Sequence, residues 1–229
     1  MSEVVTVVGG GLAGGECALQ LARRGVRVRL YEQRPSCPSP AHRTSRLAEL
    51  VCSNSLKSTK PETAAGLLKW ELDQMGCELL RVARSCSVPA GGALAVDRDA
   101  FSSEVTRLVE GHPLVEVVRE EVTSIPEGPS VIAAGPLCSD ALFDSVAEAV
   151  GGERMSFFDA AAPIVDADSI DRDVVFSQSR YGESGGGDYL NCPLDRAEYD
   201  AFMEALLSAE RVLARDFEQA DLFYACQPV

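Results

Sequence analysis

The sequence predicts an α/β fold built on parallel strands, and three features near its start indicate this. Val4–Val8 is an apolar strand candidate that runs directly into three consecutive glycines. Residues 12–24 carry apolar side chains at helical spacing and are followed by Gly25, a typical helix stop. A second apolar strand is predicted at 26–31. A strand, a helix and a second strand in this order form a βαβ unit, whose strands are parallel.

The glycine turn has the spacing of a dinucleotide-binding motif. Gly9, Gly11 and Gly14 occur in the order G-x-G-x-x-G where the strand meets the helix. Such a turn lets the backbone approach a pyrophosphate at the positive end of the helix. Glu32 ends the second strand, 21 residues after Gly11, where a carboxylate can accept hydrogen bonds from ribose hydroxyls. The sequence therefore predicts a Rossmann-like dinucleotide-binding domain.

Two features favour FAD over NAD as the dinucleotide. The glycine motif lies at the extreme N-terminus, and a strand predicted at 130–134 ends in Ala133-Ala134-Gly135-Pro136. This second contact is common in flavoproteins of the glutathione-reductase type, so the inference rests on analogy. The cofactor-binding residues expected from these two segments and Glu32 are Gly9, Gly10, Gly11, Leu12, Ala13, Gly14, Glu32, Ala134 and Gly135.

The remaining chain predicts a mixture of helices and short strands. Pro61-Glu62 is expected to open a helix that runs to about Met75, with Trp70 packed on its inner face. Residues 98–109 predict another helix, with Asp97 as its N-cap. Short strands are predicted at 115–118, 122–124, 162–165, 174–177 and 189–191, and a last helix at 195–210. We expect a FAD-binding domain at 1–155 and, at 156–229, the truncated beginning of an α+β insertion or substrate domain.

The charge is strongly acidic overall but is reversed in one stretch. The net charge of −14 argues against a nucleic-acid partner that is held mainly by overall electrostatics. Between His42 and Lys60, however, Glu49 is the single acid among four cations, a local charge of +3. We name this stretch the basic island; it is either a solvated face or a site for phosphates. Its cations are Arg43, Arg46, Lys57 and Lys60.

The cysteine pattern and the N-terminus indicate a cytoplasmic protein. The eight cysteines include no CxxC pair, which favours a reducing compartment and argues against a zinc site. Cys17 and Cys138 are interpreted as small apolar fillers. No signal peptide is visible and no apolar stretch reaches the ~20 residues of a membrane span, so no membrane association is expected.

Several longer segments accompany the glycine turn and form a distinctive set. They are Tyr31-Glu32 with Arg34-Pro35, and the stretches at 40–44, 47–55, 159–165 and 189–193. In this combination the chain resembles TrmFO, the family of folate- and FAD-dependent tRNA (uracil-5-)-methyltransferases, which is related to GidA. The stretches at 48–55 and 189–193 are the most specific. The resemblance adds Arg34 to the expected cofactor-binding residues.

The resemblance implies an activity in which cysteine is needed. Such enzymes use reduced FAD, methylenetetrahydrofolate and NAD(P)H to methylate C5 of the T-loop uridine in tRNA. Because C5 of uracil is a poor nucleophile, a thiolate that adds to C6 activates it. The resemblance implicates Cys52 and Cys226. We predict Cys226 as the thiolate and Cys52 as a partner near the flavin, and the reverse assignment stays open. Surrounding positive charge would lower the pKa of the Cys52 thiol.

Members of the family are about twice as long as this chain, which therefore resembles an N-terminal half. A second chain or a C-terminal half is an expected partner beside tRNA and folate, and the basic island is the expected substrate-binding region. Two alternatives remain open at this point. One is a small-molecule flavin oxidoreductase that gives Cys52 and Cys226 no role, and the other is a non-catalytic flavin-binding fragment.

Overall fold

The structure, a computed structural model, describes residues 4–39, 41–51, 53–151, 166–178 and 187–210. It consists of two compact units, one formed by Met1–Val88 and Gly92–Ala160 and the other by Pro89–Gly91 and Ala161–Val229. The roles predicted for 1–155 and 156–229 as FAD-binding and insertion domains stay predictions.

The first unit contains twelve helices and strands within its described residues. In chain order they are β1 (Val4–Val8), α1 (Leu12–Arg23), β2 (Arg27–Tyr31), β3 (Ser55–Ser58), α2 (Ala64–Gln74), α3 (Glu78–Ser85), β4 (Ser87–Val88), β5 (Ala93–Val96), α4 (Arg98–Glu110), β6 (Val115–Val118), β7 (Ser130–Ile132) and α5 (Asp140–Val150). The second unit contains a short 3-10 helix (Ala167–Ser169), β8 (Phe176–Ser177), β9 (Leu190–Asn191) and α6 (Arg196–Ser208).

A four-stranded parallel sheet organises the first unit and confirms the predicted fold class. Its strands lie in the order β6-β2-β1-β7, and each adjacent pair is parallel. Numbered among themselves, the parallel strands follow the order 3-2-1-4, which is that of a doubly wound dinucleotide-binding sheet. A smaller antiparallel sheet has the order β3-β5-β4. The carboxyl ends of β1, β2 and β7 therefore lie side by side, where such folds bind ligands.

The core of the first unit lies between the parallel sheet and the helices α1, α3 and α4. Its largest fully buried side chains include Leu30 from β2, Val82 from α3 and Phe101 from α4. The side chain of Cys77, the N-cap residue of α3, provides no cap. Glu16 of α1 instead accepts hydrogen bonds from the Glu78 and Leu79 N–H groups at 3.1 and 2.9 Å. α4 has the predicted cap, because Asp97 accepts a hydrogen bond from the Ala100 N–H at 2.9 Å.

The helix expected from Pro61 differs from the prediction in its start and in its orientation. It begins at Ala64, since the Thr63 hydroxyl accepts a hydrogen bond from the Gly66 N–H at 3.1 Å and caps it there. Gly66 packs against the backbone of Lys60, where a Cβ would lie 1.8 Å from the carbonyl oxygen. The prediction that Trp70 packs inside is wrong, because the residue is 54% exposed.

Two other predictions of secondary structure need correction. Residues 122–124 form no strand, and the Ile125 N–H that follows them donates to the Ser145 hydroxyl rather than to a strand partner. β7 ends at Ile132, two residues earlier than expected. In the second unit α6 has its predicted N-cap, Asp195, which forms a capping box with Glu198. The strand predicted at 162–165 lies outside the described residues.

Candidate functional site

The glycine turn places backbone where side chains cannot fit. Gly9 has φ +106°, and a Cβ there would lie 2.5 Å from the Ala133 carbonyl oxygen. A Cβ at Gly14 would lie 1.8 Å from the carbonyl oxygen of Gly9, so only glycine lets α1 approach β1 this closely. Gly11 is different, because a Cβ there would meet no atom within 4 Å. The turn thus uses two glycines for packing and leaves open space beside the N-cap of α1.

A cavity of about 70 Å³ lies at the carboxyl ends of β1, β2 and β7. Among the predicted cofactor residues, those in its wall are Gly9, Gly10, Gly11, Glu32, Arg34 and Ala134. Leu12 and Ala13 lie exposed in the first turn of α1, whereas Gly14 is buried and Gly135 follows Ala134 with φ +67°. Pockets that enclose small ligands usually measure ~300–1,000 Å³, so this chain surrounds only a part of a dinucleotide.

Glu32 lies in the cavity wall but is already bound by the protein itself. One carboxylate oxygen accepts hydrogen bonds from the Arg34 backbone N–H at 3.1 Å and from its Nε at 2.9 Å. The other accepts from the Gly10 N–H and from Arg34 Nη2, both at 3.1 Å. A carboxylate has about four acceptor positions. A ribose hydroxyl would therefore share or replace one of these donors, which refines the expected role of Glu32.

Arg34 joins Glu32 to a second carboxylate, that of Glu49. Its Nη1 donates to Glu49 at 3.1 Å and to the Thr44 carbonyl oxygen at 3.2 Å. Glu49 also accepts hydrogen bonds from the Arg43 N–H at 2.9 Å and from the Thr44 N–H and hydroxyl at 3.0 and 2.8 Å. Arg34 is 4% exposed, so this pair of buried ion contacts has little competition from water. The network fixes residues 43–49 against the end of β2.

The same loop also packs on the glycine turn. The Ala48 N–H donates to the Gly10 carbonyl oxygen at 2.8 Å, and a Cβ at Gly10 would lie 2.5 Å from Leu47 Cδ2. Ala48 is fully buried with φ +51°, a left-handed conformation that is costly for a residue other than glycine. The glycine turn and the loop that leads to residue 51 therefore pack together as one unit. The sequence-based reasoning missed Leu47, Ala48 and Glu49, although Glu49 was visible as the single acid of the basic island.

The carboxylates of the network stay ionised. Burial by itself would raise the pKa of the Glu32 carboxyl, but the hydrogen bonds and positive charge of Arg34 and the Gly10 N–H hold that pKa below its usual range. Burial likewise opposes ionisation of Glu49, and hydrogen bonds from Arg43 and Thr44 lower its pKa nevertheless. These groups therefore remain charged at neutral pH and keep Arg34 in place.

His42 lines the same cavity and is held by Ser39. Its Nδ1 lies 2.6 Å from the Ser39 hydroxyl. Burial, assisted by the positive charge of Arg34, lowers the pKa of His42, and Glu49 and Glu32 only partly offset this effect. The imidazole is therefore neutral at pH 7 and can accept or donate one hydrogen bond in the cavity wall.

We expect the free energy of unfolding to fall in two steps as pH is lowered. Because the folded-state pKa of His42 is depressed, the unfolded chain binds that proton first, and stability declines below about pH 6.5. The stability that Glu32 and Glu49 contribute above about pH 4.5 is then lost as pH falls through their depressed folded-state pKa values. Urea unfolding at a series of pH values measures both steps. His42→Gln should remove the upper step only, and persistence of that step in the variant would contradict the assignment.

The structure separates the four cations of the basic island into different settings. Arg46 forms an ion pair with Asp99 at 2.5 Å, and Arg43 has an exposed side chain although its N–H binds Glu49. Lys57 is exposed with φ +65°, and Lys60 lies just before α2. The predicted substrate-binding role of these four residues stays a prediction.

The two cysteines predicted to be catalytic, Cys52 and Cys226, both lie outside the described residues. Val51 and Ser53, the sequence neighbours of Cys52, are among the described residues. Cys17 lies in α1 against the core, and burial raises the pKa of its thiol. Within the described ranges no helix has the length and hydropathy of a membrane span. The same residues contain no group of three or more His, Cys, Asp or Glu side chains arranged for a metal ion.

Comparison with known proteins gives a family and close relatives. The sequence model of the family described as glucose inhibited division protein A matches residues 4–228. The chain is 57% identical over its whole length to a protein of Geobacter sulfurreducens named methylenetetrahydrofolate--tRNA-(uracil-5-)-methyltransferase TrmFO, and covers 53% of that protein. It is 54% identical to a protein of the same name from Moorella thermoacetica and covers 52% of it. The chain thus spans about half the length of the curated relatives it matches.

Among solved structures, a crystal structure of Aquifex aeolicus GidA shares 19% identity with the chain. The TM-score is 0.45, and the aligned region covers 56% of this chain and 21% of the GidA chain. This likeness is too partial to carry an argument. The family is shown by the sequence matches, which extend over the whole of this chain.

Proposed function

Because the chain belongs to the glucose inhibited division protein A family, we propose that it is the N-terminal half of a folate- and FAD-dependent tRNA (uracil-5-)-methyltransferase. The observation that carries the proposal is 57% identity over the entire chain with a relative of that name. The open glycine turn at the carboxyl end of a 3-2-1-4 parallel sheet supports it independently, since this is where a dinucleotide binds in such folds. The reaction, its substrates and its partners are therefore proposed for the protein to which this half belongs.

The described residues fit the pyrophosphate and ribose of FAD. Open space at Gly11 lies beside the N-terminus of α1, whose positive end favours a pyrophosphate. Glu32 lies in the wall of the same cavity, and Ala134 faces it from the end of β7. Arg34 holds Glu32 ionised and in place, so its role is to orient the acceptor. When bound, FAD would supply the redox chemistry that turns the one-carbon unit of methylenetetrahydrofolate into a methyl group, with NAD(P)H as the source of reducing equivalents.

The protein's own part in the chemistry is nucleophilic. We assign Cys226 as the thiolate that adds to C6 of the T-loop uracil, which makes C5 nucleophilic toward the one-carbon unit. The proton at C5 then leaves and the thiolate is released, so the enzyme is restored. Cys52 is assigned as its partner near the flavin, because it follows the loop that packs on the glycine turn. The cations of the basic island would bind tRNA phosphates, and we expect the protein to work in the cytoplasm, where its tRNA substrate is found.

A small-molecule flavin oxidoreductase is the competing function. The sequence favours the methyltransferase in one respect, because the basic island is a locally cationic stretch that includes the loop packed on the glycine turn, in a chain of net charge −14. A reaction on a small substrate would not need that local reversal of charge. A non-catalytic fragment that only binds flavin is the third possibility, and it is distinguished by the same experiment.

The experiment traps the enzyme on tRNA. The complete product of the reading frame that encodes this chain is loaded with FAD, which is measured by flavin absorbance, and then incubated with tRNA carrying 5-fluorouracil at the T-loop position. The expected result is a covalent protein–RNA adduct, because fluorine at C5 cannot leave as a proton does. Cys226→Ala should abolish the adduct while flavin absorbance is retained.

Cys17→Ala is the matched control, since that thiol is half-buried against the core and has no proposed role. It should leave both flavin and adduct unchanged. Flavin binding without any adduct would favour the oxidoreductase or the non-catalytic fragment. An adduct that persists after both Cys52→Ala and Cys226→Ala would refute the assignment of the thiols.

A further inference from the structure

The single tryptophan of the chain lies on the surface of α2. Trp70 is 54% exposed, although tryptophan usually buries most of its large apolar ring. Leu67, on the adjacent turn of the same helix, is 48% exposed. An indole that folding leaves in water, next to another apolar side chain, marks a surface that contacts something else.

Two lysines lie close together where α2 meets β3. Lys69 directly precedes Trp70 in the sequence, and its Nζ donates to the carbonyl oxygens of Ser58 and Ala65 at 3.0 and 3.2 Å. These contacts fix an ammonium group where α2 meets β3. Burial, and to a smaller extent the neighbouring ammonium of Lys57, lowers the pKa of Lys69. Lys57 and Lys69 therefore lie close enough to repel each other.

The local charge departs from that of the whole chain. Residues 57–70 contain three lysines and one acid, Glu62, whereas the net charge of the chain is −14. Of the acids that follow on α2, Asp73 is paired with Arg84 and Glu71 is exposed. Lys57 also holds a left-handed conformation, φ +65°, at an irregularity in the pairing of β3 with β5. Backbone strain of this kind tends to persist where it serves a site.

We propose that the face formed by Trp70, Lys57 and Lys69, here named the tryptophan face, binds an unpaired loop of RNA. The indole would stack on a splayed base, and the two ammonium groups would contact the phosphates on either side. This inference rests on the proposed function and deepens it, because it names a surface through which the protein would bind its tRNA. A polyanion relieves the repulsion between the two lysines, whereas an apolar protein segment would leave both charges desolvated.

The single tryptophan provides a direct readout. The 229-residue chain is titrated with a hairpin RNA that has the T-arm loop, and with a fully paired duplex of the same composition. Stacking of a loop base on Trp70 should quench the indole fluorescence with the hairpin and not with the duplex. In the complete gene product, Trp70→Ala should weaken hairpin binding by about 5- to 150-fold, the equivalent of ~1–3 kcal/mol for one stacked base.

Two control variants distinguish base stacking on Trp70 from nonspecific hydrophobic or electrostatic binding. Leu68→Ala removes a side chain that is also 54% exposed but is two positions away, and it should leave the affinity unchanged. Combined Lys57→Gln and Lys69→Gln should weaken binding of both RNAs and reduce the salt dependence by about 2 in the slope of log K against log salt.

The outcomes distinguish this inference from the proposed function. If the 5-fluorouracil adduct forms but Trp70→Ala binds the hairpin as tightly as wild type, the tryptophan face is wrong and the function stands. If hairpin binding and quenching occur but no adduct forms, the face stands and the assigned chemistry is wrong. A blue shift of the indole emission that grows with protein concentration, without RNA, would show that a second copy covers the face and would overturn the inference.

Discussion

Replacing Arg34 with methionine is expected to lower the free energy of unfolding by about 3–5 kcal/mol, the range seen when one partner of a buried ion pair is removed. The guanidinium makes four side-chain hydrogen bonds, two to Glu32, one to Glu49 and one to the Thr44 carbonyl oxygen. Methionine keeps much of the volume but leaves the buried carboxylate of Glu32, which is 5% exposed, and the partly buried carboxylate of Glu49 without this counter-charge. Urea unfolding at pH 7 measures the loss.

Arg43→Met is the matched control for this variant. Arg43 lies in the same loop and contacts Glu49 through its backbone N–H, which the substitution preserves, while its side chain is exposed. Its effect should stay within about 0.5 kcal/mol. The penalty of Arg34→Met should shrink as pH falls below about 4.5, because protonation removes the uncompensated charges of Glu32 and Glu49. If both variants lost the same free energy of unfolding, or if the loss for Arg34→Met did not change with pH, the charges of the network would make no contribution to stability.

Gly14→Ala and Gly11→Ala are expected to affect the glycine turn in different ways. The methyl group at position 14 would lie 1.8 Å from the Gly9 carbonyl oxygen, so α1 must move away from β1. We expect a loss of about 3 kcal/mol, the upper end for an overpacked site, together with loss of FAD binding. At position 11 the methyl group meets nothing within 4 Å, so the fold should lose less than about 1 kcal/mol.

Comparing the two variants distinguishes Gly14, which is needed for packing of α1 on β1, from Gly11, which faces the ligand site. Gly11→Ala should nevertheless weaken FAD binding, because the added methyl group enters the open space of the cavity that Gly11 lines. Thermal unfolding of the apoprotein and flavin fluorescence titration provide the two readouts. Wild-type FAD affinity in a stably folded Gly11→Ala variant would remove Gly11 from the pyrophosphate site.

Local signals in the sequence are sufficient for the elements that begin the sheet. The valine-rich strand, the glycine spacing and the helix that follows are each encoded within a few residues, and β1, α1 and β2 formed as expected. The start of α4 was equally predictable, because Asp97 is both the predicted and the observed cap. By contrast, α3 was not predicted. Its first N–H groups are capped by Glu16 of α1, so its own N-cap residue, Cys77, carries no local signal.

The candidate site shows the same division. The glycines and Glu32 follow from their spacing, and they do line one cavity. The spacing could not show that Arg34 and Gly10 already occupy the Glu32 carboxylate, nor that Glu49 completes the ion pair from 15 residues further along the chain. The exposure of Trp70 was equally hidden, because apolar periodicity does not show which face of α2 the rest of the unit covers, and the residue is 54% exposed.

By itself, the sequence determined the parallel α/β fold, the dinucleotide turn and the family, because these depend on residue type and spacing over short stretches. The tertiary structure alone decided which charges are neutralised inside the protein and which remain on its surface. Arg34 and Arg46 are both arginines near the same turn, yet the first is buried between two carboxylates and the second pairs with Asp99 at the surface. The physical reason is that a side chain's partners depend on the path of the whole chain, which brings distant residues within hydrogen-bonding distance.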